Sequence, residues 1–191
     1  VTLHHLLTHT AGLPCGSEWC PDSLAETALL GSLGNPQPPG GAYHYSNCGY
    51  EAAGDVVEAV TGRPLEHHLE QAVLGPLGMT QARGAIRSAD RPHEVLGHRP
   101  PDVDRPWHRD IDQIPDLWFP SCTADGAVTA TPEDLAVYAR FLLHGNGEVL
   151  HPLDHERLGQ PYVPAPGEGH YGYGLRITTE ESGRSIGHSG G

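Results

Sequence analysis

Lysine is absent from this sequence, and all eleven basic residues among its 191 are arginines. A mechanism that depends on a lysine ammonium or amine therefore cannot be carried out by these residues alone. No apolar run approaches the length of a membrane-spanning helix, and no signal-like segment begins at Val1. Basic charge is scarce, and the formal net charge of -13 argues against nucleic acid and anionic membrane surfaces as partners.

The four cysteines do not have the spacing of a zinc framework. Cys15 and Cys20 lie in a short, turn-rich loop, where they either close a small disulfide, as in an exported protein, or remain thiols. Cys48 is interpreted as a small packing residue and not as a nucleophile, since no histidine pairing singles it out. Because the sequence opens on Val-Thr-Leu instead of methionine, we expect residues before Val1, and no compartment is predicted.

The 14 histidines raise the question of a metal site. His5 and His9 have the i, i+4 spacing that can bind zinc on a helix, but no glutamate follows His5 as in H-E-x-x-H. His93 and His98 are spaced so that they fall on different helix faces. The sequence therefore predicts neither a metal nor a cofactor, and a zinc hydrolase is kept only as an unfavoured alternative.

Length and composition predict a globular, loop-rich domain or a large part of one, with 37% hydrophobic residues, 25 glycines and 18 prolines. Apolar periodicity and residues typical of helix starts and stops predict several helices. They are Val1–Thr10, Asp22–Leu30, Ser46 to Gly62, Pro64 to about Leu74, and Thr131 to near Gly145. Alternating runs predict two strands, Tyr171–Thr178 and Ser185–His188, joined by a turn at Glu180–Gly183.

Three of these helices are expected to bury an apolar face. The residues expected inside are Leu3, Leu6 and Leu7 of the first helix, Tyr50, Ala53, Val57 and Val60 of the third, and Leu135, Tyr138, Ala139, Leu142 and Leu143 of the last. Gly54 is expected to allow a neighbour to approach closely. Gly78–Pro120 is predicted to be irregular, with Trp107, Trp118 and Phe119 either lining a cleft or packing in the core.

The stretch from Tyr43 to Tyr50 combines a phenol, a helix cap and a carboxamide. Tyr45 can pass a proton, Asn47 can donate and accept hydrogen bonds, and Ser46 is the natural N-cap between them. Taken alone, this triplet is a weak motif, because a capped helix with a half-buried tyrosine has the same residues. Its meaning depends on the rest of the chain.

Five segments in order carry a resemblance to a known family. They read VTLHHLLTHTAGLP, YHYSNCGYEAAGDVVEAVTGRPLEHHLEQAVLGPLGM, DGAVTATPEDLAVYARFLLHGNG, YGYGL and GHSGG. In this order they resemble the serine β-lactamase-like hydrolases, which include class C β-lactamases, penicillin-binding D,D-carboxypeptidases, D-aminopeptidases and family VIII esterases. The resemblance covers nearly the whole chain, and several collinear pieces are more specific than any single one.

The resemblance implies roles for six residues. Tyr45 and Asn47 match the Tyr-x-Asn motif, so Tyr45 would relay a proton and Asn47 would orient a lysine and contact the substrate. His188, Ser189 and Gly190 match the family's third motif, which reads Lys-x-Gly or His-x-Gly. His188 would place positive or hydrogen-bonding character near Tyr45. Ser189 and Gly190 would contact the substrate, and the Gly191 N–H would donate to an oxyanion hole.

The family also implies a fold and a missing part. The expected fold is α+β and β-lactamase/transpeptidase-like, with residues 1–165 mainly helical and residues 166–191 beginning an antiparallel sheet. The family's Ser-x-x-Lys motif cannot lie in a chain without lysine, so we expect it before Val1 and expect this polypeptide alone to be inactive. The whole protein is expected to act on a small-molecule or peptide acyl substrate. A relative that binds such ligands without catalysis remains the alternative, and no oligomeric state is predicted.

Overall fold

A computed structural model of the protein describes residues 1–13, 37–87, 89–95, 97–99, 114–115, 123–126, 128–165, 167, 169–181 and 183–189. In this part of the chain, helices come first and a four-stranded antiparallel sheet comes last, so the α+β expectation is confirmed. Several predictions lie outside the described residues. They concern the Asp22–Leu30 helix, the pairing of Cys15 with Cys20, and the placement of Trp107, Trp118 and Phe119.

The first helix, α1 (Leu3–Leu7), is shorter than predicted. Thr2 caps it, because its hydroxyl accepts from the His5 N–H while the His5 ring accepts from the Thr2 N–H. The helix ends before His9, whose φ of 56° is left-handed. Of the face that was expected to be buried, Leu6 is buried but Leu3 is exposed.

The helix α2 (Asn47–Thr61) begins and ends where the sequence predicts. The Ser46 hydroxyl accepts from the Gly49 N–H at 3.1 Å, and Gly62 ends the helix with a left-handed φ of 66°. The predicted buried face is wrong at Val60, which is 81% exposed. The buried side of α2 consists mainly of small residues, including Cys48 and Gly54, because neighbouring segments approach it closely.

The next helical stretch continues past its predicted end near Leu74. It consists of α3 (Leu65–Leu69), a π-helical turn (Glu70–Leu74) and α4 (Gly75–Leu77), and it ends at Gly78 with φ 78°. Pro76 does not stop it, since the stretch continues through Leu77 and ends only at Gly78. A short 3₁₀ turn (Arg91–His93) and a two-residue strand pair, β1 (His98–Arg99) with β2 (Ile114–Pro115), follow.

The helix α5 (Pro132–His144) starts at a Thr131 N-cap and ends at Gly145, as predicted. Its buried face is not the predicted one, since Leu135 is 55% and Leu143 is 66% exposed. Asp134 and Phe141 are buried instead, and Val137 between them packs on a core cluster. That cluster contains Leu74, Met79 and Ala82, with Leu77 and Ala130 beside it. A last helix, α6 (Pro152–Leu158), leads into the sheet.

The sheet is an antiparallel meander of four strands in sequence order. They are β3 (Val163–Ala165), β4 (Gly169–Tyr171), β5 (Arg176–Glu180) and β6 (Gly183–Gly187). The predicted single strand Tyr171–Thr178 is interrupted, because the chain reverses between Gly172 and Leu175. The predicted turn at Glu180–Gly183 is confirmed. No helix of the described residues is long and apolar enough to cross a membrane.

Candidate active site

A cavity of about 330 Å³ lies where the start of α2 meets the end of β6. Tyr45, just before the α2 cap, and His188, just after β6, both line it. Their ring centroids are 6.0 Å apart with the planes inclined at 39°. The phenol and the imidazole that the sequence predicts for the site therefore face one shared space, although they are far apart in the sequence.

The other four predicted site residues are not among the described residues that line the cavity. Asn47 is the first residue of α2 and is half-buried, but it is not among the described residues that line the cavity. Ser189 is exposed beside His188. Gly190 and Gly191 lie outside the described residues, so the predicted oxyanion-hole N–H has no described position.

The third motif is held by contacts to its own backbone and to an arginine. The His188 Nδ1 hydrogen-bonds the carbonyl oxygen of Ser189. Because a carbonyl only accepts, Nδ1 carries the hydrogen, and the lone pair of neutral His188 is on Nε2. Arg176 on β5 hydrogen-bonds the Ser189 hydroxyl through Nη1, which places a permanent positive charge next to this motif.

His9 is the centre of an aromatic cluster that sequence reasoning missed. Its side chain is buried, and ring centroids of four tyrosines lie between 4.3 and 5.7 Å from its own. These are Tyr43, Tyr45, Tyr50 and Tyr171. The His9 Nδ1 accepts from the Ser46 N–H at 3.0 Å. Burial lowers the pKa of His9 to about 4, and the nearby His188 contributes to this lowering to a smaller extent. The His9 ring is therefore neutral at physiological pH.

Two of these tyrosines are locked as neutral phenols. The Tyr50 hydroxyl donates to the Leu7 carbonyl at 2.8 Å, and Tyr171 hydrogen-bonds the Tyr50 hydroxyl in turn. Burial raises the pKa of both phenols well above its ordinary value. Tyr171 and Tyr50 also line the cavity, so they form a fixed wall behind Tyr45.

A pair of carboxyl groups lies on another side of the cavity. Glu51 is buried one helical turn after Asn47, and its carboxyl hydrogen-bonds that of Asp125, which lines the cavity. Burial, together with Asp125, raises the pKa of Glu51 to about 8. Glu51 therefore keeps its proton at neutral pH. No sequence signal singled out these residues, because the pairing exists only after the 123–126 turn has packed on α2.

No group of three or more histidine, cysteine, aspartate or glutamate side chains within the described ranges is arranged to hold a metal ion. His5 and His9, the pair with zinc-like spacing, bind different partners. The His5 Nδ1 accepts from the Thr2 N–H, whereas the His9 Nδ1 accepts from the Ser46 N–H. They are not on one helical face, because α1 ends at Leu7.

Comparison with known proteins gives a consistent result. The family model described as Beta-lactamase matches residues 1–191. Protein Rv1367c of Mycobacterium tuberculosis is 30% identical over 163 residues, which cover 78% of this chain and 40% of that protein. A D-aminopeptidase of Cereibacter sphaeroides is 26% identical over 156 residues, which cover 80% of this chain and 28% of that enzyme.

A comparison with solved structures finds a similar fold in a protein of this kind. The octameric penicillin-binding protein homologue from Pyrococcus abyssi superposes with a TM-score of 0.80 at 27% identity, covering 98% of this chain and 46% of that one. The chain thus spans less than half the length of each of these three proteins. The family model covers residues 1–191, and the superposed structure covers nearly the same length of chain.

Proposed function

The chain belongs to the beta-lactamase family, and from this premise we propose that it carries part of the active site of a serine hydrolase. The enzyme would act through an acyl-enzyme on an ester, amide or β-lactam carbonyl. The observation that carries the proposal is the approach of Tyr45 to His188 across one cavity, with ring centroids 6.0 Å apart. The chain has no lysine, so the serine nucleophile and its lysine would come from residues outside these 191.

In the proposed mechanism, Tyr45 moves protons. It takes the proton from the attacking serine hydroxyl and delivers it to the leaving group. A phenol with an ordinary pKa of about 10 is a weak base, so positive charge nearby is needed to make the phenolate accessible. His188, when protonated, and Arg176 supply such charge from the sheet side of the cavity.

The remaining residues are assigned to binding. Asn47, at the first position of α2, would orient the lysine and contact the substrate amide. Ser189, already hydrogen-bonded to Arg176, would bind a carboxylate or amide of the substrate. Gly190 would lie against the substrate, and the Gly191 N–H would stabilise the oxyanion.

The substrate class follows from the third motif and the relatives. A histidine at position 188 favours an esterase or a peptidase over a dedicated β-lactamase. The similarity to a D-aminopeptidase supports an amide or peptide bond as one substrate. The Tyr171 and Tyr50 wall gives the cavity an aromatic side that suits an apolar acyl group.

Trapping the acyl-enzyme tests the proposal. The protein that carries this chain would be incubated with a chromogenic ester, a D-amino acid anilide and a β-lactam, and its intact mass measured during turnover. We expect a covalent adduct of acyl mass on one serine outside residues 1–191, with release of the chromogenic leaving group. Ligand binding without any adduct or turnover would support the alternative, a noncatalytic relative, and would overturn the proposal.

A further inference from the structure

We propose that His9 is a positioning residue that fixes Tyr45 in its reactive place by accepting the Ser46 N–H and packing its ring on the phenol. The inference rests on the proposed function, since it assigns His9 a part in the work of Tyr45. It concerns a residue just after α1 that belongs to none of the three motifs but contacts the Tyr-x-Asn motif.

His9 binds the chain on both sides of Tyr45. The His44 N–H donates to the His9 carbonyl at 2.8 Å, and the Ser46 N–H donates to the His9 Nδ1 at 3.0 Å. Between these two anchors, the Tyr45 ring lies over the His9 ring, with centroids 4.3 Å apart and planes inclined at 38°. The residues immediately before and after the phenol are therefore held by a single residue.

The backbone of His9 is shaped for this contact. Its φ of 56° makes it the one non-glycine residue of the described chain with positive φ. Such a conformation is uncommon for histidine, and it persists only where the surroundings determine it. Here it turns the chain at the end of α1, so that the imidazole enters the tyrosine cluster instead of pointing to solvent.

The protonation state of His9 matches the proposed role. With its pKa lowered to about 4, the ring stays neutral and its Nδ1 stays an acceptor over the physiological range. Nε2 then carries the hydrogen, and it is buried with no hydrogen-bond partner among the described residues. A buried N–H without a partner costs free energy that an apolar side chain would avoid. An apolar side chain, however, could not accept the hydrogen bond that the Ser46 N–H donates to Nδ1.

Two substitutions separate the acceptor from the backbone conformation. His9→Asn keeps a side-chain acceptor at the position of Nδ1 and tolerates left-handed φ, whereas His9→Gly tolerates that φ but has no acceptor. In the protein that carries this chain, assayed on a chromogenic ester, we expect His9→Gly to lower kcat at least tenfold with little change in KM. His9→Asn should retain kcat within a few-fold of wild type.

The rates are compared at a temperature at which circular dichroism shows every variant to be folded. If His9→Gly does not fold, His9→Ala, which also lacks an acceptor and adds only a methyl group at this φ, takes its place. Equal kcat values for His9→Gly and His9→Asn, or losses that appear in KM alone, would overturn the inference.

A double-variant cycle with Tyr45→Phe shows whether His9 acts through Tyr45. In the Tyr45→Phe background, we expect His9→Gly to cause no further loss of kcat. If the two losses multiply, His9 acts independently of Tyr45 and the inference fails. If Tyr45→Phe alone is fully active, the proposed function fails instead, so the two failures are distinguishable.

Discussion

The rings of Tyr45 and His188 face each other with 6.0 Å between their centroids, one at the entrance of α2 and the other at the exit of β6. The arrangement joins the helical part of the chain to the sheet at a single cavity. A phenol that can transfer a proton and an imidazole that can donate or accept a hydrogen bond thus share one space. This relationship leads to separate expectations for the two side chains.

Replacing Tyr45 by phenylalanine should abolish most of the turnover. The ring and its packing on His9 remain, but the hydroxyl that moves the proton is gone, so we expect kcat to fall by about 10²- to 10⁴-fold. Steady-state kinetics on the protein that carries this chain would measure the loss, and circular dichroism would confirm the fold. Tyr43→Phe is the matched control, since it removes a nearby phenolic hydroxyl that does not line the cavity. Near-normal activity of Tyr45→Phe would mean that its role is misassigned.

Replacing His188 by alanine should lower turnover less than Tyr45→Phe does. The imidazole lies beside the phenol in the shared cavity, so its loss removes polar or positive character near Tyr45 but leaves the hydroxyl that moves the proton. Arg176, which hydrogen-bonds Ser189, keeps a guanidinium next to this motif and limits the loss. Steady-state kinetics of both variants on the same chromogenic ester would compare the two losses. A loss as large as that of Tyr45→Phe, or no loss at all, would count against this role for His188.

Local chemistry predicted the limits of the elements better than their packing. Ser46 and Gly62 set the ends of α2, and Thr131 and Gly145 set those of α5, because caps act through the backbone next to them. The buried faces were partly wrong, as at Val60, since apolar residues occur on more than one side of each helix. Which side is buried depends on segments distant in sequence.

In the candidate site too, the sequence predicts the residues of local motifs but not those defined by tertiary contacts. Tyr45 and His188 were nominated from motifs in the sequence, and the structure brings them together. His9 was considered only as half of a rejected zinc pair, and the pairing of Glu51 with Asp125 was not foreseen. Both depend on tertiary contacts that change the pKa of a buried group, and no spacing along the chain reveals such contacts.

Gly54 should not tolerate a methyl group. A Cβ at this position would lie 2.5 Å from the Ala124 Cβ and 3.3 Å from a Leu65 methyl. Gly54→Ala improves helix propensity by about 1 kcal/mol, but overpacking costs about 1 to 3 kcal/mol, so we expect a net loss of stability. The 123–126 turn must also shift, and because Asp125 lines the cavity, activity should fall as well.

Thermal unfolding and ester turnover would measure both effects of Gly54→Ala. The control is Gly147→Ala, since an added Cβ there meets no atom within 4 Å and the backbone is not left-handed. Its melting temperature should stay close to that of wild type. If Gly54→Ala proves as stable as Gly147→Ala, the turn does not pack on α2 as closely as described.

Glu51 should make the protein less stable as pH rises. Its pKa in the folded protein is raised to about 8, against an ordinary 4.5, so between these values the folded state binds a proton that the unfolded chain has released. Stability therefore decreases through this window and levels off above it. Glu51→Gln is neutral in both states and keeps a hydrogen bond to Asp125, so it should match wild type near pH 4.5. Above pH 8 it should be more stable, by more than about 1 kcal/mol.

The contribution of His9 to stability changes with pH in the opposite direction to that of Glu51, so the measurement must separate the two. Its pKa is lowered from 6.5 to about 4, so stability is complete above 6.5 and is lost as pH falls through that range. The two contributions oppose each other between pH 4.5 and 6.5 in wild type. Denaturant unfolding of wild type and Glu51→Gln at each pH cancels the His9 contribution, because both proteins contain it. A stability difference that stays constant from pH 4.5 to 9 would show that Glu51 is ionised in the folded protein over that range, and that burial beside the cavity does not hold its proton.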